Sequence, residues 1–163
     1  LKDLAAIIDN GTPLFRAMPN TAIAIQESVT CMCQQSATNE QVNYVSALFN
    51  QLGITIPIDE KLMDAATVLG ACGIAYALRF IRAATQGGIE IGFDAKTASL
   101  ISAQTVKGAA ELLLKLNRHP EEEIDKVTTP KGCTIVGLNE MEHQGFSSSL
   151  IRGIGASYNK ITT

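Results

Sequence analysis

From Asp59 to the end of the chain every segment reads as helix, and the longest helices are apolar on more than one side. Asp94 caps the longest, which runs to about Leu116. Leu100, Ile101, Leu112, Leu113 and Leu114 on it, with Leu78 and Ile81 on the helix before, cover more than one stripe. A surface helix needs one apolar stripe, and a second must be buried against another partner. A chain of 163 residues forms one or two small domains and cannot cover all of these faces itself. The expectation is a dimer of interlocked helices. Ala98, Ser102, Thr105 and Ala109 add a stripe of small residues at 4-3-4 spacing, which lets another helix come close.

Other punctuation places the remaining helices. Asp59 caps Glu60 to about Leu69, Gly70 and Gly73 break that helix, and another runs from about Ile74 to Gln86, closed by Gly87-Gly88. Pro120 stands at a first helical position with three glutamates behind it, and His119 caps it. Gly132 to Gln144 is a helix ended by Gly145, and Ser147 opens the last, from about Ser148 to Lys160.

The first third is different. Leu1 to Asp9 reads as a short helix stopped by Asn10-Gly11, and Thr12 to Met18 as a strand ended by Pro19-Asn20. Val29 to Gln34 is a further strand. Thr38 and Gln41 form a capping box for a helix with Val42, Val45, Leu48, Phe49 and Leu52 at helical spacing. Gly53 ends it, and Ile54 to Ile58 is a short strand. Residues 1–37 therefore read as the end of an α/β domain, and 38–163 as a helical domain.

A net charge of −3 and the lack of a basic, aromatic-rich stretch argue against nucleic acid, since phosphate contacts need clustered Lys and Arg. No unbroken apolar run reaches about 18 residues, so no membrane span is expected. Cys31, Cys33, Cys72 and Cys133 match no common zinc spacing, and neither His119 nor His143 has a ligand partner at i+3 or i+4. No metal is expected, and a reducing cytoplasm is the expected location. Leu1 in place of Met makes the chain read as a piece of a longer one.

The run with chemistry in it is Val127-Thr128-Thr129-Pro130-Lys131-Gly132-Cys133-Thr134-Ile135-Val136-Gly137. It is a polar turn delivered into an apolar helix. Pro130 fixes φ, Gly132 permits close backbone approach, and Thr134 presents a hydroxyl in the first helical turn. The unpaired N–H groups and positive dipole end there suit a small carboxylate, and Lys131 adds a full charge. The same residues also suit an ordinary helix start, because Pro and Thr are common there.

Four segments in register extend the comparison: Arg16 to Thr21 (RAMPNT), Glu60 to Tyr76 (EKLMDAATVLGACGIAY), Ala103 to Leu114 (AQTVKGAAELLL) and His119 to Phe146. In this order and at these spacings the chain resembles the C-terminal part of pyrroline-5-carboxylate reductase. The resemblance implies a mainly α fold. Its helical dimerisation domain would be of the 6-phosphogluconate-dehydrogenase C-terminal-like type, preceded by the last helix and strands of a Rossmann domain. It implies reduction of 1-pyrroline-5-carboxylate to L-proline with NADPH or NADH, by homodimers that can join into rings.

The family loop usually reads T-S-P-G-G-T-T. The resemblance thus implies a substrate site of Thr129, Lys131, Gly132, Cys133 and Thr134, with the Thr134 hydroxyl meeting the ring nitrogen as the catalytic contact. Pro19, Asn20 and Glu60 would lie by the nicotinamide. Lys131 replaces a glycine, so its backbone reaches a positive φ less comfortably or its ammonium assists the carboxylate. Ile74 replaces a proline, softening a kink. A solvated helix start remains open for Glu60, and Tyr76 reads as core. No G-x-G-x-x-G follows any strand, so a preceding nucleotide-binding domain would hold most of the cofactor, leaving this chain inactive alone. The rival readings are another Rossmann-plus-helical dehydrogenase and a non-catalytic helical scaffold.

Overall fold

A computed structural model describes residues 1–8 and 11–163. They fall into two compact units, Leu1–Ala75 with Ile154–Thr163, and Tyr76–Gly153. The elements are α1 (Lys2–Ala5), β1 (Leu14–Met18), β2 (Ser28–Gln35), α2 (Asn39–Asn50), β3 (Gly53–Pro57), α3 (Met63–Ala66), α4 (Gly73–Glu90), α5 (Ala95–Leu116), α6 (Pro120–Val127), α7 (Cys133–His143) and α8 (Phe146–Thr162). Most of the chain is helical beside one small sheet, as expected. The first helix is shorter than expected, and its predicted end at Asp9 and stop at Asn10 lie outside the described residues.

The first unit is built on a three-stranded sheet in the order β1-β2-β3. β1 runs antiparallel to β2, with Arg16 opposite Cys33, and β3 runs parallel to β2, with Thr30 opposite Thr55. The parallel pair is joined through α2, the usual answer to a parallel connection, which cannot be made by a tight turn. The predicted capping box starts α2: the Thr38 N–H donates to Gln41 Oε1 at 2.8 Å and the Gln41 N–H to Thr38 Oγ1 at 3.3 Å. At the start of β3, Gly53 has φ +139°. A Cβ there would stand 1.9 Å from the Ser28 carbonyl oxygen, so only glycine fits against β2. Met32, Cys33, Met63 and Val68 form this unit's buried core. Burial pushes the Cys33 thiol pKa up, with the Glu60 carboxylate adding to it and Arg16 opposing.

Thr30 lies at the centre of β2, 1% exposed, and its Oγ1 has no hydrogen-bond partner. An orphaned buried hydroxyl costs stability, and Val has nearly the same shape. Thr30→Val is expected to stabilise the fold by about 1 kcal/mol in urea unfolding. A loss of stability would mean that the hydroxyl is satisfied.

Gly70 and Gly73 do not break the helix after Asp59, contrary to expectation. A 3-10 turn (Glu60–Leu62), α3, a π-helical turn (Thr67–Cys72) and α4 follow one another without a gap. The break is absorbed as a widened turn: a helix accepts one extra residue by shifting its hydrogen bonds from i−4 to i−5. Asp59 is the N-cap by backbone only, with no side-chain capping bond; its carboxylate pairs instead with Lys61 at 3.1 Å. Gly87-Gly88 does not end α4 either; the helix runs on to Glu90, and Gly92 at φ +113° follows. By length and composition the stretch Glu60–Glu90 could cross a membrane, with a mean hydropathy of 1.4 over its apolar window. Polar residues interrupt it, so it contains no unbroken apolar run of about 18 residues.

In the second unit, α4 and α5 approach closely where Gly88 faces Ala98: a Cβ on Gly88 would come within 3.0 Å of Ala98 Cβ. Asp94 caps α5 as expected, accepting from the N–H groups of Lys96 and Thr97. Bonds from Thr97 hold its carboxyl below the usual carboxylate range. Of the small-residue stripe, Ala98 and Ser102 are buried while Thr105 and Ala109 are open. Only small residues are covered here, and Leu78, Leu100 and Leu114 are 59–73% exposed. Phe80 and Phe146 meet edge to face, ring centres 6.1 Å apart.

Candidate functional site

The Thr-Pro-Lys-Gly turn lies wholly in the second unit, between α6 and α7. α6 begins as predicted, with His119 Nδ1 accepting from the Glu121 N–H and Pro120 in the first turn. Its end is tied by Thr128, whose hydroxyl donates to the Ile124 carbonyl at 2.7 Å. The chain then reverses, and the Gly132 N–H donates to the Thr129 carbonyl at 2.9 Å. Pro130 supplies its fixed φ inside that turn, and Lys131 follows with φ +60°. This is the pattern of a type II turn, whose third residue needs positive φ and usually is glycine. Lys131 adopts that conformation anyway, at a cost of about 1 kcal/mol for a residue with a Cβ. The sequence expectation of an uncomfortable backbone is met by strain, not by a different turn.

Gly132 is the N-cap of α7, with φ −72° and ψ 162°. Those angles suit any residue, so space is what selects glycine: a Cβ would stand 2.5 Å from Thr129 Oγ1 and 3.0 Å from its carbonyl oxygen. α2, α5 and α6 each have a side-chain cap, whereas α7 has none. The N–H groups of its first turn therefore have no side-chain oxygen over them. Thr134 is the second residue of α7 and half-buried, while Cys133 and Lys131 are exposed. The turn thus brings Thr129, Lys131, Gly132, Cys133 and Thr134 into one contiguous stretch, with donors, one hydroxyl and one cation. An anion of carboxylate size matches that donor set.

In the first unit, β1 delivers Pro19 and Asn20 into a short 3-10 turn (Thr21–Ile25) capped by Asn20. Glu60 stands at the start of the helical stretch, facing β1. Its carboxylate lies 3.7 Å from the Arg16 guanidinium. Asp64, one helical turn on, lies 3.9 Å from the same guanidinium. Glu60 thus stands at a helix start with its side chain partly exposed and a guanidinium as its charged neighbour. Sequence reasoning missed Arg16 and Asp64 as its neighbours. The i, i+4 pair Glu60 and Asp64 was the available signal, since both project from one helix face. Gly70 was also missed: its carbonyl accepts from Asn20 Nδ2 at 3.3 Å.

Among the described residues, no three His, Cys, Asp or Glu side chains group as a metal would need. The four cysteines are free thiols.

The family profile described as pyrroline-5-carboxylate reductase dimerisation matches residues 60–163. Pyrroline-5-carboxylate reductase 1 of Dictyostelium discoideum is 50% identical, over 98% of this chain and 31% of its own length. The Schizosaccharomyces pombe pyrroline-5-carboxylate reductase is 36% identical, over 94% of this chain and 55% of its own length. The chain thus spans from under a third to just over half of these curated relatives. Among solved structures, the Streptococcus pyogenes 1-pyrroline-5-carboxylate reductase aligns with a TM-score of 0.89 at 32% identity, over 98% of this chain and 62% of that one. A Plasmodium falciparum pyrroline carboxylate reductase solved with NADP bound aligns with a TM-score of 0.88 at 28% identity, over 98% and 65%.

Proposed function

The chain belongs to the pyrroline-5-carboxylate reductase family, and on that premise we propose that it is the dimerisation and substrate-binding part of an enzyme reducing 1-pyrroline-5-carboxylate to L-proline. The observation that carries this reading is the glycine-capped start of α7, where first-turn N–H groups have no side chain over them. A substrate carboxylate would take those donors near Gly132, Cys133 and Thr134, with the Lys131 ammonium opposite in charge. The Thr134 hydroxyl would then meet the ring nitrogen, with Thr129 closing the turn from behind.

The chemistry asks little of the protein in acid strength. A cyclic imine is readily protonated, so the site mainly holds the ring in one orientation and balances its charges. Thr134 accepts from the protonated ring nitrogen and so fixes which face is presented. NADH or NADPH, when bound, supplies the hydride. Pro19, Asn20 and Glu60 serve its nicotinamide end, and Glu60, with a side chain 35% exposed, keeps an accessible carboxylate for it. The rest of the cofactor needs a phosphate cradle that this sequence lacks, so a further nucleotide-binding domain is part of the proposal. Residues 1–37 then form the end of that domain and 38–163 the helical part, with β3 joined to the same sheet through β2. The uncovered leucines of α4 and α5 support a homodimer, which rings of dimers would extend, and a cytoplasmic location suits four free thiols.

The test is NAD(P)H oxidation by the full-length protein with 1-pyrroline-5-carboxylate, beside Thr134→Ala and this chain alone. Removing one hydrogen bond to a charged group is worth about 2 kcal/mol, so the variant should lose about thirtyfold in kcat/KM. The chain alone should be inactive. No turnover by the full-length wild type with either cofactor would overturn the reading.

A further inference from the structure

Asn20 is 9% exposed, and every polar atom it has is held within the chain. Its N–H donates to Ser28 Oγ at 3.1 Å, its Oδ1 accepts from the Ala22 N–H at 3.0 Å, and its Nδ2 donates to the Gly70 carbonyl at 3.3 Å. Its own carbonyl accepts from the Ile23 N–H at 3.1 Å. One residue therefore joins three pieces: its backbone N–H holds the first residue of β2, and its side chain holds the turn that Pro19 opens and the π-helical turn Thr67–Cys72. The amide is suited to its two contacts because it accepts on one side and donates on the other.

The π-helical turn gives the contact its meaning. A widened turn stretches its backbone bonds and leaves a carbonyl tilted outward, and such turns tend to mark working sites. Here the Gly70 carbonyl lies within that turn, and the side chain that donates to it belongs to the neighbour of Pro19. Gly70 also lies against β2, since a Cβ on it would meet Val29 Cγ1 at 3.5 Å. The Pro19 turn, the edge of the nicotinamide end as proposed above, is thus registered against the helix through one part-buried bond.

We infer that Asn20 is a positioning residue: it acts on the cofactor only through the Pro19 turn, by fixing that turn to the Gly70 carbonyl. The inference rests on the proposed reductase reading for its cofactor, but not for its geometry. A buried amide already committed on both sides is a strut between backbone segments. A direct cofactor ligand would instead turn a free donor or acceptor outward.

Asn20→Ser and Asn20→Asp separate the contacts, because both residues still cap a helical turn while neither can donate from Nδ2 to Gly70. The uncharged Ser variant guards against a fold lost to a buried carboxylate. The experiment uses full-length protein and reads two things. Amide hydrogen exchange is followed across residues 67–75 without cofactor. Binding is titrated with NADPH and with 2′-phospho-ADP-ribose, which lacks the nicotinamide. The expected result is exchange at least tenfold faster over 67–75 in both variants, with NADPH binding weakened about tenfold and 2′-phospho-ADP-ribose binding unchanged. Unchanged exchange with weakened NADPH binding would make Asn20 a direct ligand and overturn the inference. Faster exchange with unchanged NADPH binding would make it structural only and overturn it as well. A wild type that binds neither NADPH nor NADH would overturn the reductase reading, and with it the role toward the cofactor; one that binds only NADH is titrated with NADH and ADP-ribose instead. The exchange data would still decide whether Asn20 holds the π-helical turn.

Discussion

Gly132→Ala in the full-length protein is expected to lower kcat/KM by at least about a hundredfold, a displacement of around 1 Å being enough for that. The added Cβ would stand 2.5 Å from Thr129 Oγ1 and 3.0 Å from the Thr129 carbonyl oxygen. One of those is a side-chain atom that can rotate away, but the other is backbone. The backbone contact pushes on the turn and strains the Gly132 N–H to Thr129 carbonyl bond. That bond sets where α7 begins, so the first-turn donors and Thr134 move together. The turn is exposed, and the fold should hardly notice: the variant should unfold at nearly the wild-type urea midpoint. Steady-state kinetics beside urea unfolding checks both halves. Near-wild-type turnover would show that the start of α7 is not where the substrate carboxylate binds.

Gly53→Ala is the opposite case, a change far from the proposed chemistry that should unfold the first unit. Its Cβ would lie 1.9 Å from the Ser28 carbonyl oxygen and 2.4 Å from the Ser28 nitrogen, both backbone atoms of the central strand. The φ of +139° adds strain for any residue with a Cβ. No rotamer relieves a backbone overlap, so β3 must leave β2 or the parallel pairing must slip. A cost of about 4 kcal/mol or more is expected, at the extreme of single substitutions. Denaturant unfolding followed by far-ultraviolet circular dichroism measures it, and a loss under about 1 kcal/mol would mean that the pairing at Ser28 is softer than drawn.

Several of these elements are readable from the residues because the cause is local. The capping box of Thr38 and Gln41, the Asp94 cap and Pro120 behind His119 each need only three or four neighbouring residues. The glycines at 70, 73, 87 and 88 misled for the same reason. Local propensity says that Gly costs about 1 kcal/mol in a helix. It cannot say that a β-strand lies against Gly70, or that Gly88 is where Ala98 of a second helix comes into contact. Those are long-range facts, and they make glycine useful inside a helix. The Thr-Pro-Lys-Gly turn was legible as a turn; its reading as a site rests on the resemblance and remains a proposal. Its left-handed Lys131 was foreseeable only as strain. Arg16 beside Glu60 was hidden because a strand and a distant helix start share no sequence pattern.

The second unit has its own consequence. Its covered side chains are small, Ala98, Ser102 and Thr85, while large leucines of α4 and α5 face outward. Burial of small residues contributes little, so this unit draws its stability from whatever covers those leucines. If a second copy does so, folding and association are one equilibrium. The melting temperature should then rise with protein concentration and fall on dilution, and the meaningful stability of this unit is a dissociation constant.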